Sequence, residues 1–207
     1  HMARAKGSLP VVYAVNPYGA DHMCTEHDPF LLEDLPQSLR ERMRALGILE
    51  TAPVDATGPV KMRLAAITQR YMSLLDSLEL CAFCFASGWF FDAQDIVTAV
   101  RAVTGWRTNL WELMRIGERR INLMRAFNAR EGLGRDEDNF PKKMSDEKLM
   151  SGNRLCTNNY LKWLLSHEEN NVEGIAGQCC CSGKLRWKLF QKKTKLCLDH
   201  YLCAATQ

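Results

Sequence analysis

After Gly58-Pro59 the apolar residues Leu64, Ile67, Tyr71, Leu74 or Leu75 and Leu78 recur at intervals of three and four. That period is what one helix shows when it buries a single stripe, and it predicts a long helix. The opposite signal, strict alternation, is nearly absent. Only Val11-Val12-Tyr13-Ala14-Val15 is rich in strand-forming residues, and the run is too short to decide. The chain therefore reads as all-α, a multi-helix bundle.

The other helices announce themselves by their ends. Asp34, Leu35 and Pro36 look like a helix start, because proline is tolerated in a first turn, and Gly47 stands where that helix would stop. Asp92 is a candidate N-cap for a helix with Ile96, Val100 and Val103 on one face, closed by Gly105. Asn109 and Glu112 have the spacing of a capping box. A long helix follows, with Leu110, Leu113, Met114, Ile121, Met124 and Phe127 on its apolar side and Gly132 and Gly134 at its end. Gly117 in its middle would let a neighbouring helix or cofactor come close.

Of 207 residues, 46% are hydrophobic and 25% charged, which excludes wholesale disorder and collagen-like repeats. The most apolar stretch, Leu78 to Phe91, carries Glu79 and is too short for the roughly 20 residues of a membrane span. No secretory signal pattern follows His1-Met2, itself read as a cloning remnant. Charge and cysteine divide the chain. Residues 1–141 hold 16 Lys and Arg against 18 Asp and Glu, while residues 142–207 hold 11 against 6. Of nine cysteines, Cys24, Cys81 and Cys84 precede the break; Cys156, Cys179, Cys180, Cys181, Cys197 and Cys203 follow it. We read 1–144 as a helical domain and 145–207 as a basic, Cys-rich tail, expected to be poorly ordered. An odd cysteine count without an export signal points to the cytoplasm. The Lys184 to Lys195 run reads as a solvated basic face rather than a nucleic-acid site.

Phosphate loops of Walker or Rossmann type, GxSxG and HExxH are all missing. Two clusters remain. Asp76-Ser77-Leu78-Glu79-Leu80-Cys81-Ala82-Phe83-Cys84 gathers a carboxylate and two thiols where a helix runs out. A Cys-x-x-Cys pair can bind metal or cycle as a dithiol, or its thiols can simply pack in an apolar turn. Gly19-Ala20-Asp21-His22-Met23-Cys24, with Glu26, His27 and Asp28 behind it, offers metal ligands or an acid/base pair, or a hydrogen-bonded polar loop.

With a third segment these clusters form a recognisable order. Tyr13-Ala14-Val15-Asn16-Pro17-Tyr18-Gly19-Ala20-Asp21-His22, then Asp76 to Cys81, similar to Asp-x-x-Gly-Leu-Cys, then Val103-Thr104-Gly105-Trp106 through Gly117-Glu118-Arg119 to Phe127-Asn128-Ala129-Arg130-Glu131-Gly132 follow one another. Together they resemble the C-terminal helical region of the aldehyde ferredoxin oxidoreductase family, tungsten-pterin enzymes of anaerobic metabolism. The resemblance spans about residues 3–144.

That resemblance implies a bis-pterin cofactor of tungsten, or molybdenum, beside a 4Fe-4S cluster that relays electrons to ferredoxin. It makes Cys81 the fourth cluster ligand, lets Asp76 and Leu80 contribute to the cofactor site, and gives His22 the role of proton shuttle in aldehyde oxidation. The other three cluster cysteines and the cofactor-cradling N-terminal domain would lie outside this sequence, making the chain a fragment or one subunit, and a homodimer is a further expectation. Glu79 stands where the family has glycine. The tail does not align and reads as a fused segment or an out-of-frame translation. The alternative reading is a non-catalytic helical module whose Cys-rich tail binds metal or an acidic partner.

Overall fold

A computed structural model describes residues 6–86 and 90–139. The tail and the 144/145 boundary lie outside the described residues. Those residues are helical, with no strand among them. The α-helices are α1 Leu9–Val15, α2 Gln37–Ala45, α3 Pro59–Ser77, α4 Ala82–Phe85, α5 Ala93–Thr104 and α6 Leu110–Arg130, with 3-10 turns at His22–Cys24, Asp28–Leu31 and Arg135–Glu137. No helix among the described residues is long and apolar enough to cross a membrane.

The one strand-like run is helical. Val11 to Val15 lies in α1, where Pro10 sits in the first turn and Leu9, Val11 and Val12 are buried. Val12 packs with Cys24 and Ala65, so tertiary burial overrides the preference of β-branched residues for strands.

The local end signals are all used. Pro36 is the N-cap of α2, and Gly47 follows that helix in the left-handed region at φ +86°. Asp92 and Asn109 each head a complete capping box, with Asp95 and Glu112 returning the bond. Gly105 closes α5 in left-handed conformation at φ +73°.

The core gathers α3, with Leu64, Tyr71, Leu74 and Leu75, against Leu31, Met43, Ile48, Ile96, Val97 and Leu113. Tyr71 is wholly buried, and its hydroxyl donates to the Phe85 carbonyl at 2.7 Å. Two residues on the predicted faces are exposed instead. Val103 is 86% exposed, in the last turn of α5, where Val97 fills the core instead. Phe127 is 56% exposed, under the Arg130 guanidinium. The buried stripe of α6 runs through Leu113, Gly117, Ile121 and Arg125, and steps of four overshoot a 3.6-residue turn, so the stripe winds away from Phe127.

Gly117 is where α6 meets α3. A Cβ there would lie 2.0 Å from the Arg70 carbonyl oxygen and 2.8 Å from the Leu74 nitrogen. The close approach foreseen for this glycine is to a helix, and Ser73 seals it by donating to the Gly117 carbonyl at 2.9 Å.

Candidate functional site

The end of α3 decides how Asp76 and Cys81 are presented. Past the helix, the Leu80 amide donates back to the Leu75 carbonyl at 2.9 Å and the Glu79 amide to the Asp76 carbonyl at 3.3 Å. These two bonds make a Schellman cap, whose penultimate position requires a left-handed residue. Glu79 occupies it at φ +56°, the only non-glycine residue with positive φ among the described residues. Leu80 turns back onto the core, the apolar contact such caps carry. The cap leaves Asp76 and Cys81 on the outside: Asp76 is half exposed and the Cys81 thiol is exposed. Cys81 then caps α4, accepting from the amides of Cys84 and Phe85, both at 3.0 Å.

Asp76 has a partner that spacing did not reveal. Arg120 of α6 reaches its carboxylate at 2.9 Å and also donates to Ser73 Oγ at 3.3 Å. The same guanidinium lies 5.9 Å from the centre of the Tyr18 ring. Burial pushes the Tyr18 hydroxyl up to about 12, helped by the negative groups of Cys24, Asp21 and Asp76 and opposed by Arg120. Tyr18 and Arg120 thus join the loop of Asp21 and His22 to the cap of α3.

That loop is pinned from below. Asn16 donates to the Gly19 carbonyl at 2.6 Å and accepts from Gln69 of α3 at 3.2 Å. Asn128 of α6 donates to the Pro17 carbonyl. Asp21 caps the next turn through the Met23 amide at 2.9 Å, and its carboxylate stands 4.0 Å from His22 Nδ1. Both Asp21 and His22 keep 37% of their side-chain surface open.

Of the remaining polar residues of this segment, Asp28 and Cys24 are taken up by the fold, and His27 lies edge-on to His22 with the ring centres 6.1 Å apart. Asp28 is fully buried, paired with Lys61 Nζ at 2.7 Å and accepting from the Ser8 amide and hydroxyl at 3.0 and 2.8 Å. The Cys24 thiol donates to the Asp21 carbonyl at 2.8 Å, and burial pushes it up to about 12, so it is a poor thiolate. His27 accepts from Lys6 Nζ, and burial followed by the charge of Lys6 holds its pKa below the ordinary value. Of the cluster read from sequence, Asp28 and Cys24 serve the fold and Glu26 is buried, while Asp21, His22 and His27 each keep part of their surface open.

No group of three or more His, Cys, Asp or Glu among the described residues is arranged to hold a metal by itself. The residues do fit one edge of a shared centre. An exposed, soft thiol at Cys81 suits iron in a cluster, and a half-exposed carboxylate on the other side of the cap, at Asp76, suits a hydrogen-bonding ring.

A family model described as aldehyde ferredoxin oxidoreductase, domains 2 and 3, matches residues 1–166. The chain belongs to this family. It is 34% identical over 95 residues to the tungsten-containing aldehyde ferredoxin oxidoreductase of Pyrococcus furiosus and 32% over 94 residues to that of Pyrococcus abyssi. Each match covers 44% of this chain and 15% of the relative, so the chain aligns with only a small part of those enzymes. Within the aldehyde ferredoxin oxidoreductase pattern, the structure gives the motif glycine a backbone reason. Position 79 must be left-handed, and Glu79 adopts that conformation with its side chain exposed.

Proposed function

We propose that this chain forms the helical wall of an aldehyde-oxidising centre, with Asp76 and Cys81 facing a tungsten or molybdenum pterin and its 4Fe-4S cluster, and His22 facing the substrate. The observation that supports it is the linkage of the two exposed motifs by Tyr18 and Arg120, on top of helices that keep both motifs open. The bound metal-pterin and cluster would supply the two-electron oxidation and its relay to ferredoxin.

The chain's own residues have three tasks in this reading. Cys81 gives one thiolate, the remaining three coming from a partner domain. Asp76, steadied by Arg120, accepts hydrogen bonds from the pterin ring. Conversion of a small aldehyde and water into a carboxylic acid releases two electrons and two protons, and His22, beside Asp21 and open to solvent, takes protons from the reacting side and passes them outward.

The test is reconstitution with the family's N-terminal domain. Viologen reduction by a panel of aldehydes, tungsten by elemental analysis and iron counted anaerobically should all appear together. Cys81→Ser should abolish or strongly shift the cluster EPR signal, whereas Cys84→Ser should leave it nearly intact. Four irons and an unchanged signal in Cys81→Ser would sink the assignment.

A further inference from the structure

Cys84 has no task in that site, yet its thiol is placed against the one that does. The backbone bond from the Cys84 amide to the Cys81 carbonyl closes a single turn, which brings the two Cα atoms within roughly 7 Å, inside the range a disulfide spans. The two side chains are neighbours, for burial first and then Cys81 pushes the Cys84 thiol up. The turn is braced from behind. Phe91 donates to the Cys84 carbonyl at 2.9 Å, the Phe85 and Phe91 rings stack at 4.8 Å, and Tyr71 holds the Phe85 carbonyl. Access is graded, with Cys81 exposed and Cys84 partly covered, while Cys24 is buried and bonded elsewhere.

We propose that Cys81 and Cys84 are a reversible dithiol switch, Cys81 being the attacking thiol and Cys84 the resolving one, with low-molecular-weight disulfides as the oxidant. The Cys81 thiolate attacks one sulfur of the oxidant, whose S–S bond breaks and releases one thiol, leaving a mixed disulfide on Cys81. Cys84 then attacks the Cys81 sulfur and expels the second thiol. Two electrons pass from the cysteine pair to the oxidant, and the two cysteine protons leave on the two released thiols. The pair in its oxidised form withholds Cys81 from iron. That consequence rests on the reading of Cys81 as a ligand; the disulfide itself does not.

The experiment needs no iron. Trypsin cuts after Arg70 and Arg101 with no Lys or Arg between, so residues 71–101 carry Cys81 and Cys84 and no other cysteine. The full chain is exposed to oxidised glutathione, quenched with iodoacetamide and mapped by mass spectrometry. In the wild type this peptide should lose two hydrogens, take up no iodoacetamide and recover both thiols with dithiothreitol. In Cys84→Ser, glutathione should stay on Cys81, more abundant than in the wild type by on the order of tenfold, because the tethered resolving thiol is gone. Equal glutathione on Cys81 in both proteins, or a disulfide joining Cys81 to any other cysteine, overturns the switch. Failure of cluster ligation, read by EPR, leaves this outcome untouched.

Discussion

Asn128, near the end of α6, donates its side-chain amide to the Pro17 carbonyl at 2.5 Å across 111 residues of chain. This bond and the Gln69 bond to Asn16 clamp the loop that carries Asp21 and His22. Asn128→Ala should cost about 0.5–1.5 kcal/mol, the net worth of one part-buried hydrogen bond. The loss should be local as well as global. Hydrogen exchange at the Gly19 amide, now bonded to the Asn16 carbonyl at 3.1 Å, should speed up more than exchange within α3.

Glu79→Gly should stabilise the chain by roughly 0.5–1 kcal/mol. A side chain at left-handed φ costs about 1–2 kcal/mol, and the greater freedom of glycine in the unfolded chain returns part of it. Urea unfolding should show a higher midpoint at unchanged slope. A Glu79→Val exchange, β-branched in the same conformation, should move the midpoint the other way.

Gly117→Ala tests the opposite case, a glycine required by contact. Both atoms that the new methyl would strike are backbone, in the middle of α3, so neither can swing aside. We expect a loss of about 1–3 kcal/mol or more. Thermal unfolding should fall accordingly, by about 2–4 °C for each kcal/mol at this chain length. A change within 0.5 kcal/mol would mean that α3 and α6 do not cross there.

What was legible in the sequence follows from how far each signal travels. The caps at Asp92 and Asn109 are bonds to backbone three residues away, so spacing alone reveals them. Gly117 announced a close approach without naming Arg70 and Leu74, because a missing side chain says nothing of its neighbour. Val11 to Val15 is too short a run to decide from sequence, since the conformation of this segment is set by burial of Val12 against Ala65 and Cys24. Cys81 and His22 stand out in two local polar clusters, and the roles read for them come from the family resemblance alone. Arg120 and Tyr18 were missed because an ion pair and a ring contact between distant segments leave no trace in local spacing.

Asp28 and Lys61 form an ion pair with both side chains almost fully inaccessible. Lys61→Ala would strand a buried carboxylate with only the two Ser8 bonds, at a cost of about 3–5 kcal/mol. Replacing both partners, as Asp28→Asn with Lys61→Met, removes the charge together with its desolvation penalty. The double variant should be clearly more stable than Lys61→Ala alone, which a double-mutant cycle by urea unfolding would read. Equal instability of the two would show that the pair's geometry, and not the stranded charge, dominates.

Stability should bend downward on both sides of a plateau between about pH 6.5 and 9. On the acid side His27 resists protonation in the fold, its pKa lying below 6.5. The unfolded chain therefore binds more protons there, and stability falls as pH drops below about 6.5. On the alkaline side the Cys24 thiol is held up to about 12 from its ordinary 9.0. The folded chain then keeps a proton that the unfolded chain gives up, so stability falls as pH rises above 9. At pH 10 this amounts to about 1.4 kcal/mol, one pH unit past the unfolded thiol. Burial also raises the hydroxyls of Tyr18 and Tyr71 above 10, which steepens the same limb at higher pH. Unfolding by urea at pH 8 and pH 10, in wild type and Cys24→Ala, separates them. The variant loses packing at both values, but its stability should change less between them by about 1 kcal/mol. An identical pH difference in the two proteins would show that Cys24 is not the buried, protonated thiol described above.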